Sequence, residues 1–135
     1  MTLNHQLMLD QIITVLSADA RVVGIAAGGS YASGAMDEYS DLDLVIAVEP
    51  DSYAAVTAER QQIAARMGKL LAAFTGEHVG EPRLLICLYD EPLLHVDLKF
   101  VSLPDAAARV EEPLIVWERD GRLTAALAAG EAHYP

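Results

Sequence analysis

The chain has 135 residues, 53% hydrophobic and 21% charged, with twenty acids against nine bases for a net charge of -11. That length fits one domain over residues 1–135 with a single core, and the composition excludes a disordered chain. So acidic a surface repels a phosphate backbone, and no broad nucleic-acid groove is expected.

A single acidic pocket can still take a phosphate ligand where metal cations bridge the two. The longest uncharged run, Val22 to Met36, is shorter than the about 20 apolar residues of a spanning helix, so no membrane segment is expected. The N-terminus lacks a basic segment, and Asp10 interrupts its apolar stretch, unlike a signal peptide. Cys87 is the only cysteine. It leaves no intrachain disulfide and no cysteine-based zinc site, and a cytoplasmic location is the simplest expectation.

Met8, Leu9, Ile12, Ile13 and Leu16 recur at helical spacing and predict an amphipathic helix over 4–18. Val22 to Ala27 reads as a buried strand running into the Gly28-Gly29 turn. The small residues 30–36 allow one helical turn, and Leu42 to Val48 is β-rich up to Pro50. Asp51 or Ser52 then caps a helix with Val56, Ile63, Met67, Leu70, Leu71 and Phe74 on one face, ended by Gly76.

Leu84 to Tyr89 and Leu93 to Leu103 read as a hairpin around Asp90-Glu91-Pro92. Pro104-Asp105 opens a short helix to about Arg109. Leu114 to Glu118 is a last strand, turned by Asp120-Gly121 into a helix over 122–129. The expected fold is α/β (α+β), a mixed sheet of about five strands with helices packed on it.

Three features coincide around the first two strands. A Gly-Gly-Ser turn lets the backbone approach a ligand, and free N–H groups at a helix start attract phosphate. Asp41 and Asp43 project to one side of a strand while Leu42 and Leu44 face the core. Two bare carboxylates so close repel, and a hard Mg²⁺ ion between them removes that repulsion. The segment His95-Val96-Asp97-Leu98-Lys99 repeats the alternation. If it lies beside 42–48, Asp97 joins the pair, and three carboxylates can hold two metals about 3.5–4 Å apart.

Gly29-Ser30 followed by Ser40-Asp41-Leu42-Asp43-Leu44 resembles the signature of the DNA polymerase β-like nucleotidyltransferase superfamily. The longer Gly-Ser-x-Ala-x-Gly string is most similar to its minimal and aminoglycoside-type branches. The resemblance covers roughly residues 20–100, with a weak addition at Trp117–Leu123. It implies that Gly29 and Ser30 grip a nucleoside triphosphate, ATP by preference. It also implies that Asp41, Asp43 and Asp97 bind two Mg²⁺ ions and that a substrate hydroxyl attacks the α-phosphorus. Many relatives carry Arg where this chain has Tyr31, which removes one phosphate-binding cation from the loop.

Lys99 either touches the triphosphate or neutralises Asp97. His95 reads as a surface residue and is set aside. Glu118 is a minor candidate base, Arg83 a surface cation, and Cys87 and Trp117 packing residues. The leading expectation is an adenylyltransferase acting on a hydroxyl of a small molecule or a protein. Two-domain relatives continue into a helical acceptor domain for which this chain has no room. A second copy of the chain, or a helical partner protein, is then expected at the pocket mouth. The competing expectations are an antitoxin that binds or adenylylates a helical toxin, and a non-catalytic nucleotide sensor.

Overall fold

The computed structural model describes residues 3–28, 41–77, 80–90, 93–107 and 114–130. Helix α1 (Leu3–Ser17) leads into β1 (Val22–Ala27), and β2 (Leu42–Val48) follows. A short 3-10 turn, Pro50–Ser52, opens helix α2 (Tyr53–Ala65). Strands β3 (Lys69–Gly76), β4 (Glu81–Asp90) and β5 (Leu94–Ser102) come next. A 3-10 helix at Leu103–Ala107, strand β6 (Leu114–Glu118) and helix α3 (Arg122–Gly130) complete the order. The predicted helical turn at 30–36 and the hairpin turn at Glu91-Pro92 lie outside the described residues.

The strands form one mixed sheet in the order β3-β4-β5-β2-β1-β6. Only β2 and β5 run parallel; the other neighbours are antiparallel. The sheet has six strands where about five are expected, and the extra one is β3. The sequence reads residues 66–76 as the continuation of a helix, but α2 stops at Ala65. Its last turn closes through the Arg66 and Met67 N–H groups, which donate to Ile63 O and Ala64 O. The free edge of β4 then offers an antiparallel ladder that pairs Ala72 with Leu88 and Phe74 with Ile86. Tertiary pairing overrides the helix preference of Leu and Ala here. Ser52 occupies the N-cap of α2 without a side-chain cap bond.

One face of the sheet carries the main core. Met8, Leu9, Ile12 and Leu16 of α1 and Val56 and Ile63 of α2 pack on the inward residues of β1, β2, β4 and β5. Cys87 lies in this core as a buried free thiol. The Tyr89 hydroxyl donates to Ala64 O at 2.7 Å, and the Tyr53 hydroxyl donates to Phe100 O at 2.9 Å. These two bonds fix α2 to the sheet.

A smaller core covers part of the opposite face, where Leu123 and Leu127 of α3 meet Val23, Ala26 and Ala47. Gly24 makes that approach possible. A Cβ there would stand 2.7 Å from Leu123 Cδ2 and 2.8 Å from Leu123 Cβ. The turn before α3 uses Asp120 and Gly121 at φ 57° and 68°, left-handed values that Asp and Gly tolerate best. No helix among the described residues is long and apolar enough to cross a membrane.

Candidate functional site

The parallel pairing of β2 with β5 builds the site. Its register sets Leu42 opposite Val96, Asp43 opposite Asp97 and Val45 opposite Lys99. Leu42, Leu44, Val96 and Leu98 are buried on the helical side. The alternation of a strand therefore sends Asp43, His95, Asp97 and Lys99 to the other side. The Gly28 N–H donates to Asp43 O at 3.0 Å, which ties the residue after β1 to the same place. Gly29 and Ser30, the expected triphosphate grip, lie outside the described residues, as do Tyr31 and Asp37-Glu38.

Gly28, Asp43, Leu84, Asp97 and Lys99 line a cavity of ≈ 310 Å³ with Leu44 and Val45. A larger hollow of ≈ 440 Å³, lined by Leu7, Asp10, Gln11, Arg66 and Met67 among others, lies by α1 and the end of α2. Its size does not make it the site, because it lacks the paired carboxylates Asp43 and Asp97.

Asp43 is the most perturbed acid of the group. Burial pushes its carboxyl up to about 6, and the charges of Asp97 and then Asp41 push the same way. His95 nearby opposes the shift. Two carboxylates set side by side in partly excluded solvent compete for one proton, and a cation is the other remedy. Lys99 makes an ion pair with Glu81. Its Nζ stands 3.3 Å from Glu81 Oε2, and Glu81 is also gripped by Arg83 at 2.9 Å. Arg83 first, and Lys99 after it, hold Glu81 down at about 2.

His95, which the sequence reading sets aside, stands between two of the acids. Its Nδ1 lies 3.3 Å from Asp41 Oδ1 and its Nε2 lies 2.9 Å from Asp97 Oδ1. The second contact is close but poorly aligned, so His95 Nε2 and Asp97 Oδ1 are buried without a hydrogen-bond partner among the described residues. As these side chains stand, no group of three or more His, Cys, Asp or Glu is close enough to share a metal ion among the described residues. The only signal for His95 in the sequence is its strand parity with Asp97; its contact with Asp41 depends on the parallel register.

Two other candidates resolve into structural roles. Glu118 Oε1 accepts from the Thr124 N–H at 2.9 Å and its Oε2 from the Thr124 hydroxyl at 2.5 Å. That carboxylate caps the start of α3. Trp117 packs against the main core with Arg119 5.0 Å above its ring. Arg119 also donates to Ser17 O at 2.9 Å, which joins β6 to the end of α1.

The arrangement offers paired carboxylates beside Gly28, with Lys99 on the cavity wall. A family model described as a nucleotidyltransferase domain matches residues 9–101, more than half of the chain. A comparison with curated proteins gives no match.

Proposed function

Because the chain belongs to the nucleotidyltransferase domain family, we propose that it transfers AMP from ATP to a hydroxyl acceptor, with Asp41, Asp43 and Asp97 holding two Mg²⁺ ions. The observation that carries this reading is the register of Asp43 with Asp97 on one face of the parallel pair. The donor set suits a hard cation: the acids offer oxygen only, Asp97 Oδ1 is buried without a hydrogen-bond partner among the described residues, and Asp43 is crowded by neighbouring negative charge. When bound, Mg²⁺ supplies positive charge to the transferring phosphoryl group.

The chain's own residues orient the two substrates. Gly29 and Ser30 grip the triphosphate, and Lys99 contributes a cation at the cavity wall. The acceptor hydroxyl gives up its proton to solvent water and its oxygen forms a bond to the α-phosphorus as the α–β anhydride bond breaks and pyrophosphate leaves. The acceptor is a small cationic molecule drawn to the acidic surface or a protein hydroxyl. A second copy of the chain, or a helical partner, completes the acceptor side. A second reading, an antitoxin that binds or adenylylates a helical toxin, is favoured by the exposed apolar side chains on the β3–β4 face, where Phe74 and Leu88 are 50% and 38% exposed.

The test is incubation with Mg²⁺ and ATP labelled at the α-phosphorus, in the presence of a lysate separated into protein and small-molecule fractions. Label is expected to pass into one fraction and to fall about 10³-fold with Asp43→Asn. No transfer into either fraction contradicts the enzymatic reading.

A further inference from the structure

The start of β4 is pinned from three sides. The turn before it closes with the Gly80 N–H donating to Glu77 O at 3.0 Å, and Gly80 takes a positive φ of 80° there, a conformation glycine adopts without strain. On the β3 side, Gly76 lies opposite Glu81 where the ladder shifts register, and a Cβ at Gly76 would stand 2.6 Å from Glu81 O. From α2, Arg60 Nη1 donates to Pro82 O at 2.8 Å. The backbone that carries Glu81 is therefore fixed.

Its carboxylate is fixed as well. Arg83 Nε donates to Glu81 Oε1 at 2.9 Å and Arg83 Nη2 donates to Glu81 Oε2 at 3.2 Å, a two-pronged grip that sets direction as well as strength. Lys99 reaches the same carboxylate from β5, with Nζ 3.3 Å from Oε2. The β4–β5 ladder sets Lys99 opposite Leu84 and Asp97 opposite Ile86, so the lysine and the acid share one face two residues apart. Both line the cavity that also holds Asp43. A lysine is a point charge on a flexible stem, and on this wall Asp97 is the competing partner for its amine. Glu81 draws the amine towards the start of β4.

The contact does not cancel the lysine's charge. Arg83 already meets both oxygens of Glu81, so two bases share one acid and a local excess of positive charge remains. An ammonium has three donors; Glu81 takes one and orients the others.

We propose that Glu81 is a positioning residue: gripped by Arg83, it holds the Lys99 amine at the cavity wall and presents it to the phosphate tail of a nucleoside triphosphate. This rests on the nucleotide-binding reading above. Glu81 is an anion and is assigned no contact with the phosphates; it acts through Lys99.

The experiment is calorimetric titration of the full chain with ATP, and separately with inorganic tripolyphosphate, both in Mg²⁺. Wild type, Glu81→Gln, Lys99→Met and the double variant Glu81→Gln/Lys99→Met are compared, with a thermal melt of each. Charge alone predicts that removing an acid beside a polyphosphate tightens binding. Positioning predicts the reverse, so the sign of the Glu81→Gln effect decides. Lys99→Met is expected to weaken both ligands about tenfold, the size of one charge-assisted contact. Glu81→Gln is expected to weaken both by about threefold or more, and the double variant to bind no more weakly than Lys99→Met alone, as residues that act as a unit do. Melting temperatures stay close to wild type, because partly exposed ion pairs of this kind contribute little to stability.

Unchanged or tighter binding by Glu81→Gln, or losses that add in the double variant, overturns the positioning role and leaves the nucleotide site standing. Weakening of ATP with no weakening of tripolyphosphate overturns the assignment to the phosphate tail. Failure of the wild type to bind ATP overturns both readings.

Discussion

Over β1, β2 and β6, the face of the sheet away from α1 and α2 is closed by α3 and the 3-10 helix at Leu103–Ala107. Over β3 and β4 the same face leaves Phe74 and Leu88 half-exposed. In the closed half, Gly24 gives up a side chain so that Leu123 can come within contact of β1. In the open half, large apolar residues stand in two rows that run straight into the polar cluster. The register aligns Phe74, Ile86, Asp97 and Asp43 in one row, and Ala72, Leu88 and His95 in the next. The carboxylates therefore sit at the seam between a covered and an uncovered region. That position buries Asp43 enough to raise its pKa and still leaves the cluster open to a ligand. The closed half supplies rigidity, and the open half supplies access.

The largest expected effect belongs to the closed half. Gly24→Val places carbon inside the space of Leu123, and crowding of this kind costs about 1–3 kcal/mol. Chemical denaturation is expected to show that loss, with the denaturant slope unchanged. Wild-type stability in this variant would mean that α3 does not seat on β1 as described.

At the seam the expected change has the opposite sign. The folded-state pKa of Asp43, about 6, lies above the roughly 3.9 of an unfolded aspartate. Above pH 6 its charge therefore opposes folding, and the opposition fades as the pH falls from about 6 to 4. Asp43→Asn is expected to stabilise the metal-free protein by about 1 kcal/mol at pH 7.5, discounted for the partial exposure of the site. The gain shrinks towards zero at pH 4. Paired thermal melts across that range check it, and a gain independent of pH contradicts the carboxylate crowding.

The open half gives the smallest effect. Phe74→Ser removes a side chain already 50% exposed, and surface substitutions of this kind usually cost under about 1 kcal/mol. A fully buried aromatic such as Phe100 costs about 3–5 kcal/mol when cut to alanine. A loss of that size at Phe74 would mean that the open face is covered after all.

Much of the frame is legible in the residues. Val22–Ala27, Leu42–Val48 and Leu114–Glu118 are short β-rich runs bounded by turn residues, and each is a strand with those ends. The stretch Lys69–Gly76 misleads because Met67, Leu70, Leu71 and Phe74 recur at helical spacing. Only the vacant edge of β4 decides in favour of a strand, and no local pattern announces it. At the site, parity alone groups His95, Asp97 and Lys99, and Asp41 with Asp43. That the two groups meet, and in which register, follows from the parallel crossover between β2 and β5. A histidine beside one acid looks incidental until the second acid is set across from it.

Calorimetric titration of ATP into the protein, with and without Mg²⁺ and with Asp41→Asn/Asp43→Asn as the control, tests the central claim most directly. Binding that requires Mg²⁺ and disappears in the folded control is the predicted result. Absence of binding to the folded wild type, or binding that neither needs Mg²⁺ nor notices the loss of both acids, contradicts a carboxylate-held metal–nucleotide site on this chain.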